Sequence, residues 1–109
     1  MCSARAWGHE TLIPKVALKA LIELTGQPQV DVALLMTLRD AVEHRLEKIE
    51  SALRDYEQKY GMTFQRFETQ ARAGEMPDRF SYEKERDYFD WDSLVTRKRK
   101  LEEIQRWLV

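Results

Sequence analysis

The residues best suited to chemistry in this sequence are five carboxylates between positions 83 and 92. They are Glu83, Glu85, Asp87, Asp90 and Asp92. Neighbouring carboxylates can act as a general acid and base, or bind a cation. They are also common where a helix begins, because the helix dipole stabilises negative charge at its N-terminus. The second interpretation needs no active site, and we favour it over catalysis.

Metal chemistry has one candidate, His44, which lies three residues before Glu47. Histidine–carboxylate pairs at this spacing bind metals inside helical bundles. A dinuclear site needs such pairs on two helices, and residues 82–108 contain no histidine. The single cysteine, Cys2, excludes an internal disulfide and a C-x-x-C metal knuckle. We therefore predict no metal and no cofactor. Because no nucleophile elbow, P-loop or dinucleotide fingerprint is present, we predict that the protein is not an enzyme.

Aromatic residues are interleaved with the carboxylates. They are Phe80, Tyr82, Tyr88, Phe89 and Trp91. Successive helical residues point about 100° apart, so Tyr88, Phe89 and Trp91 cannot all face one internal seam. Two interpretations remain open: an intramolecular cluster around residues 64–67, and a surface that binds a partner through aromatic anchors. For the second, the predicted contacts are Phe80, Tyr82, Asp87, Tyr88, Asp90 and Trp91.

A basic run, residues 97–100, is a candidate for contact with nucleic acid. Four consecutive helical residues fan out over roughly 300° and make no flat basic face. The net charge of the chain is −1, which supplies no overall attraction for phosphate. Nucleic-acid binding through this run is therefore not favoured, and Lys98 falls on the apolar seam of its helix.

Apolar spacing and capping residues predict four helices. Their predicted ranges are Pro14–Thr25, Val30–Tyr60, a short helix between Thr63 and Gly74, and Tyr82–Leu108. A short extended stretch, His9–Ile13, precedes them. The predicted fold is all-α: a long central helix with an antiparallel C-terminal helix, a short connecting helix and an N-terminal helical arm. The predicted division is an arm of residues 1–29 and a helical hairpin of residues 30–109, which forms a single compact unit with the arm.

The long central helix carries a heptad seam of the kind found in coiled coils. The predicted seam residues are Leu35, Leu38, Val42, Leu46, Ile49, Leu53 and Tyr56. At 1.5 Å per residue the helix is about 45 Å long, which exceeds the diameter of a compact domain of this mass. It must pack along a hairpin partner or another subunit, and we predict a homodimer.

The N-terminal order of elements resembles the ribbon-helix-helix DNA-binding module. The residues concerned are Thr11-Leu12-Ile13, Pro14, Leu21, Leu24 and Thr25-Gly26. In that family two chains pair their strands in the DNA major groove. Here the extended stretch itself contains no lysine or arginine, and the basic residue that precedes it, Arg5, is distant. We therefore favour a helical dimerisation unit without DNA contact.

The second half is similar to small prokaryotic helical proteins that are encoded beside compact toxin genes as antitoxins. The resemblance covers residues 45–108 and rests on three segments: Tyr60–Glu68, Gly74-Glu75-Met76 and Asp87–Leu94. An insertion, residues 77–82, departs from the family pattern. The resemblance implies that the protein binds and neutralises a small partner protein.

Three functions remain as hypotheses: an antitoxin-like partner-binding protein, a DNA-binding regulator, and a self-assembling structural protein. The first is the leading one. The single cysteine fits a reducing compartment. The sequence has neither a signal peptide nor an apolar run of about 20 residues. We therefore expect a cytoplasmic protein that does not enter the membrane.

Overall fold

A computed structural model describes residues 12–74 and 82–109. In these ranges it contains four helices: α1 Lys15–Thr25, α2 Val30–Tyr60, α3 Phe64–Ala73 and α4 Tyr82–Trp107. The predicted all-α class is confirmed. Most of the predicted extended stretch lies outside the described residues, as does Phe80, and the described Leu12 and Ile13 are not part of a strand. In the described part of the chain, no helix is both long and apolar enough to cross a membrane.

Local interactions end the helices where the sequence predicted. Gly26 and Gly74 take the left-handed conformation, with φ of 73° and 71°, which glycine adopts without a Cβ penalty. The N–H of Gly61 donates to the carbonyl of Glu57 at 2.7 Å, closing the last turn of α2. At the start of α3, Thr63 Oγ1 accepts from the N–H of Arg66 at 3.3 Å. Thr63 is therefore the N-cap of α3.

Contacts divide the chain into two units, the first ending at Asp40 and the second comprising Ala41–Val109. This division lies inside α2, whereas the sequence analysis placed it at residue 29. In the first unit, Ala33 of α2 has no exposed surface, but α1 buries none of its residues. The predicted apolar face of α1 is only half covered: Ala17 and Leu21 are half-buried, whereas Val16 and Leu24 are exposed.

The second unit is a helical hairpin in which α2 and α4 run antiparallel. Near one end Lys59 contacts Asp87, and towards the other end Leu46 packs with Leu101. The buried residues form two clusters. The larger comprises Leu53, Phe64, Phe67, Ala71 and Trp91, and the smaller comprises Val42, Leu46 and Leu101. Ile49 packs against both clusters and joins them along α2.

The predicted oligomer seam is divided by this packing. Val42, Leu46 and Leu53 are buried within a single chain, and Ile49 and Tyr56 are half-buried against the same clusters. Because α3 and α4 already cover these side chains, they form the core of the hairpin. The remaining seam residues, Leu35 and Leu38, are exposed.

Candidate functional site

Trp91 is enclosed by aromatic rings from α2 and α3 and has no exposed surface. The ring centroids of Phe67 and Phe64 lie 5.1 Å and 5.3 Å from its own, and that of Tyr56 lies at 5.4 Å. Aromatic pairs at these separations are favourable beyond the area they bury. Trp91, one of the predicted partner contacts, therefore lies in the hairpin core, packed against aromatic rings of its own chain.

Asp87 is also buried, with 4% of its surface exposed. Its Oδ2 accepts hydrogen bonds of 2.6 Å from Lys59 Nζ and 2.6 Å from the hydroxyl of Tyr60. Lys59 Nζ also lies 2.6 Å from Glu83 Oε2. We call Lys59, Tyr60, Glu83 and Asp87 the hairpin clasp. Asp87, also one of the predicted partner contacts, is thus buried in the hairpin, where residues of α2 engage its carboxylate.

The pKa values of Asp87, Tyr60 and Lys59 in the hairpin clasp lie away from neutral pH. Burial raises the pKa of Asp87, but the hydrogen bonds from Lys59 and Tyr60 outweigh it and hold that pKa below its ordinary value of 3.8. Burial and the bond to Asp87 raise the pKa of Tyr60 to about 12. The bonds to Asp87 and Glu83 raise the pKa of Lys59. General acid–base catalysis works best with a pKa near the operating pH, so this geometry fits a structural clasp.

Tyr88 lies between the core and the surface. Its hydroxyl donates to Glu68 Oε2 at 3.1 Å, and its ring stacks on that of Phe64 with centroids 5.8 Å apart. The edge of the neighbouring Phe89 ring lies against it, at a centroid distance of 5.4 Å. Tyr88 is half-buried and links the core to the exposed Phe89.

The other side of α4 carries exposed aromatic residues. Tyr82 is 78% exposed and Phe89 is 59% exposed. At about 100° per residue, both point roughly 160° to 180° away from Trp91, so they share the face opposite the core. We define the α4 outer surface by five exposed residues: Tyr82, Glu85, Arg86, Phe89 and Asp90. Tyr82 and Asp90 belong to the predicted contact set.

Two features of this region were not predicted from the sequence. The first is Phe89, which is absent from the predicted contacts although its spacing of seven residues from Tyr82 places both on one helix face. The second is the pairing of Lys59 and Tyr60 with Asp87. An antiparallel hairpin brings the end of α2 beside the start of α4, and that topology is the signal that could have identified them.

In the described residues, the His44–Glu47 pair is not arranged as a metal site, and the basic run of residues 97–100 does not form a flat basic face. In residues 12–74 and 82–109, no group of three or more histidine, cysteine or acidic side chains is arranged to hold a metal ion. The side chains of Arg97, Arg99 and Lys100 are exposed, whereas Lys98 is half-buried, with its Nζ 4.0 Å from Glu50 Oε2. The run therefore spreads around α4, as its helical spacing predicts.

The described residues define a small helical protein whose hairpin core faces one side of α4 and whose exposed aromatic residues lie on the other. Comparison of the chain with protein-family models, curated proteins and solved structures finds no match. The α4 outer surface and its charge are therefore the features from which a function is inferred.

Proposed function

We propose that the protein binds a small basic protein through the α4 outer surface and neutralises it in the manner of an antitoxin. The observation that carries the proposal is the exposure of Tyr82 and Phe89 on one face of α4, opposite the buried Trp91. The hairpin core does not need these rings, since α4 packs through its other side. An aromatic pair held outside the core is typical of an interaction site.

The charge around this pair indicates the chemistry of the partner. Residues 82–92 contain five carboxylates, of which Glu83 and Asp87 are engaged by Lys59. The α4 outer surface itself carries the carboxylates of Glu85 and Asp90 beside the guanidinium of Arg86. Arg86 lies over the ring of Tyr82, with Cζ 5.8 Å from the centroid. An acidic rim around aromatic anchors favours a basic partner, because complementary charge speeds the encounter and excludes acidic competitors.

Rigidity of the helix beneath the anchors also supports binding. The buried ring of Trp91 and the carboxylate of Asp87 fix the same turns of α4 that display Tyr82 and Phe89. A surface held in its binding conformation loses less entropy when the partner docks. The resemblance of residues 45–108 to antitoxins agrees with this arrangement, since covering a basic functional surface of a partner would block it.

The proposal is tested on the protein that co-purifies in near-stoichiometric amount when the tagged chain is expressed from its native locus. Calorimetry then compares Tyr82→Ala and Phe89→Ala with Trp107→Ala, which removes an aromatic residue 64% exposed near the other end of α4. We expect each of the first two changes to weaken binding by about 1–2 kcal/mol or more, and Trp107→Ala to have little effect.

A growth assay tests neutralisation itself. Expression of the partner alone should inhibit growth, co-expression of the wild-type chain should relieve the inhibition, and the double variant Tyr82→Ala/Phe89→Ala should relieve it less. If neither aromatic substitution changes the affinity for the partner, the α4 outer surface is excluded as the binding site. A partner whose expression is harmless would exclude the antitoxin-like function.

A further inference from the structure

The start of α2 exposes a row of leucines. Leu34, Leu35 and Leu38 are 37%, 36% and 43% exposed, and they line an open groove of about 300 Å³. Leu35 and Leu38 point about 140° to 160° away from the buried Ala33 on the same helix. The side of this segment that carries Ala33 is therefore covered, whereas the side that carries the leucines is exposed.

Further apolar side chains of the first unit are also exposed. Val16 and Leu24 of α1 are 74% and 76% exposed, and Ile13, just before α1, is 47% exposed. An isolated helix of 11 residues is marginal in water, so α1 depends on packing. Yet none of its residues is buried. This part of the chain therefore leaves several large apolar side chains exposed.

The exposed apolar area is close to what a stable dimer needs. It comes from Leu12, Ile13, Val16, Leu24, Leu34, Leu35 and Leu38. At roughly 1.45 Å² of accessible surface per dalton of chain, their exposed fractions amount to on the order of 600 Å². A standard interface buries about 800 Å² on each partner, and the polar rim contributes part of that area.

We propose that the first unit is a homodimerisation surface, covered by the same surface of a second copy of this chain. The charge of the segment favours this occupant. Residues 12–40 contain three cationic side chains and three carboxylates, so the segment is neutral. Two copies meet without net repulsion, and a neutral face gives no preference for a strongly charged partner. A two-fold contact also places the apolar surface of each chain on that of the other.

This surface has no residue in common with the α4 outer surface. It uses residues 12–40, is neutral and is mainly aliphatic, whereas residues 82–92 are acidic and aromatic. Homodimerisation through the first unit therefore does not depend on the proposed function. Substitutions at one surface serve as controls for the other.

Sedimentation equilibrium of the full chain, from about 1 to 100 µM, tests the proposal. The wild type should have twice the 13.0 kDa mass of one chain. Leu35→Glu and Leu38→Glu each place a charge in the contact and should raise the dimer dissociation constant at least about 30-fold. Phe89→Glu, an equivalent change on the α4 outer surface, should leave it unchanged.

Far-UV circular dichroism should show unchanged helix content for Phe89→Glu, and for the two leucine variants a loss no larger than α1, the helix that depends on packing. A wild type that remains monomeric at about 100 µM overturns the proposal. A dimer that persists in both leucine variants also overturns it. Helix loss in a leucine variant of a monomeric protein would show that another segment of the same chain covers the face.

Discussion

Lys59, at the end of α2, places its Nζ 2.6 Å from Oδ2 of Asp87, 28 residues later in α4. The hydroxyl of Tyr60 donates to the same oxygen at 2.6 Å. These two bonds tie the end of α2 to the start of α4, on either side of α3 in the sequence. They also satisfy a carboxylate that is costly to bury without partners. The two bonds thereby fix which side of α4 faces α2. The opposite side, which carries Tyr82 and Phe89, is fixed at the same time.

Asp87→Ala should destabilise the hairpin. The change removes the acceptor for Tyr60 and Lys59, and leaving a buried hydroxyl unsatisfied is unfavourable. Because Lys59 remains partly exposed, we expect a loss of about 2 kcal/mol in the free energy of unfolding, below the range for a fully buried pair. Asp90→Ala is the matched control on the exposed side and should cost less than about 0.5 kcal/mol. Equal losses in urea unfolding would contradict a special role for Asp87.

The contribution of Asp87 should depend on pH with a defined sign. Its pKa in the folded protein is held below the ordinary value of 3.8. The unfolded chain therefore binds a proton first as the pH falls, and the stabilisation is lost as the pH falls from about 3.8 through the lowered pKa. The difference in stability between wild type and Asp87→Asn should be constant near neutrality and shrink in that acidic window. A difference that grows with acidification would contradict the assignment.

Two aromatic residues on α4, two positions apart, should respond in opposite ways. Trp91→Ala removes a fully buried indole and should cost about 3–5 kcal/mol. Phe89→Ala removes a mostly exposed ring and should change stability by less than about 1 kcal/mol. Thermal and denaturant unfolding measure both. Comparable destabilisation by the two changes would show that Phe89 belongs to the core and would remove it from the α4 outer surface.

The N-cap of α3 can be tested by making the same change, threonine to alanine, at the cap and within the helix. Thr63→Ala removes the hydroxyl that caps the N–H of Arg66 and should cost about 1 kcal/mol. Thr69→Ala lies within the helix, where its hydroxyl bonds back to the carbonyl of Gln65 at 2.9 Å. Because alanine has the higher helix propensity, Thr69→Ala should be neutral or stabilising. Stability lost at Thr69 but not at Thr63 would exclude the N-cap assignment.

Much of the secondary structure follows from the sequence alone. The bounds of α2, Val30–Tyr60, agree with those predicted, and the predicted and observed ends of α4 differ by one residue. Glycine at positions 26, 61 and 74 and threonine at position 63 mark helix boundaries. These features depend on backbone sterics and on hydrogen bonds within a few residues, so local sequence contains the information.

Tertiary packing decided which apolar and charged side chains are available to a partner. Leu35 and Leu53 belong to one predicted seam, yet the first is exposed and the second is buried. Phe89 and Trp91 are both aromatic, but only the second enters the core. Heptad spacing predicts which residues share a face and does not tell which helix covers it. That depends on contacts between residues far apart in sequence, such as Lys59 with Asp87 and Phe67 with Trp91.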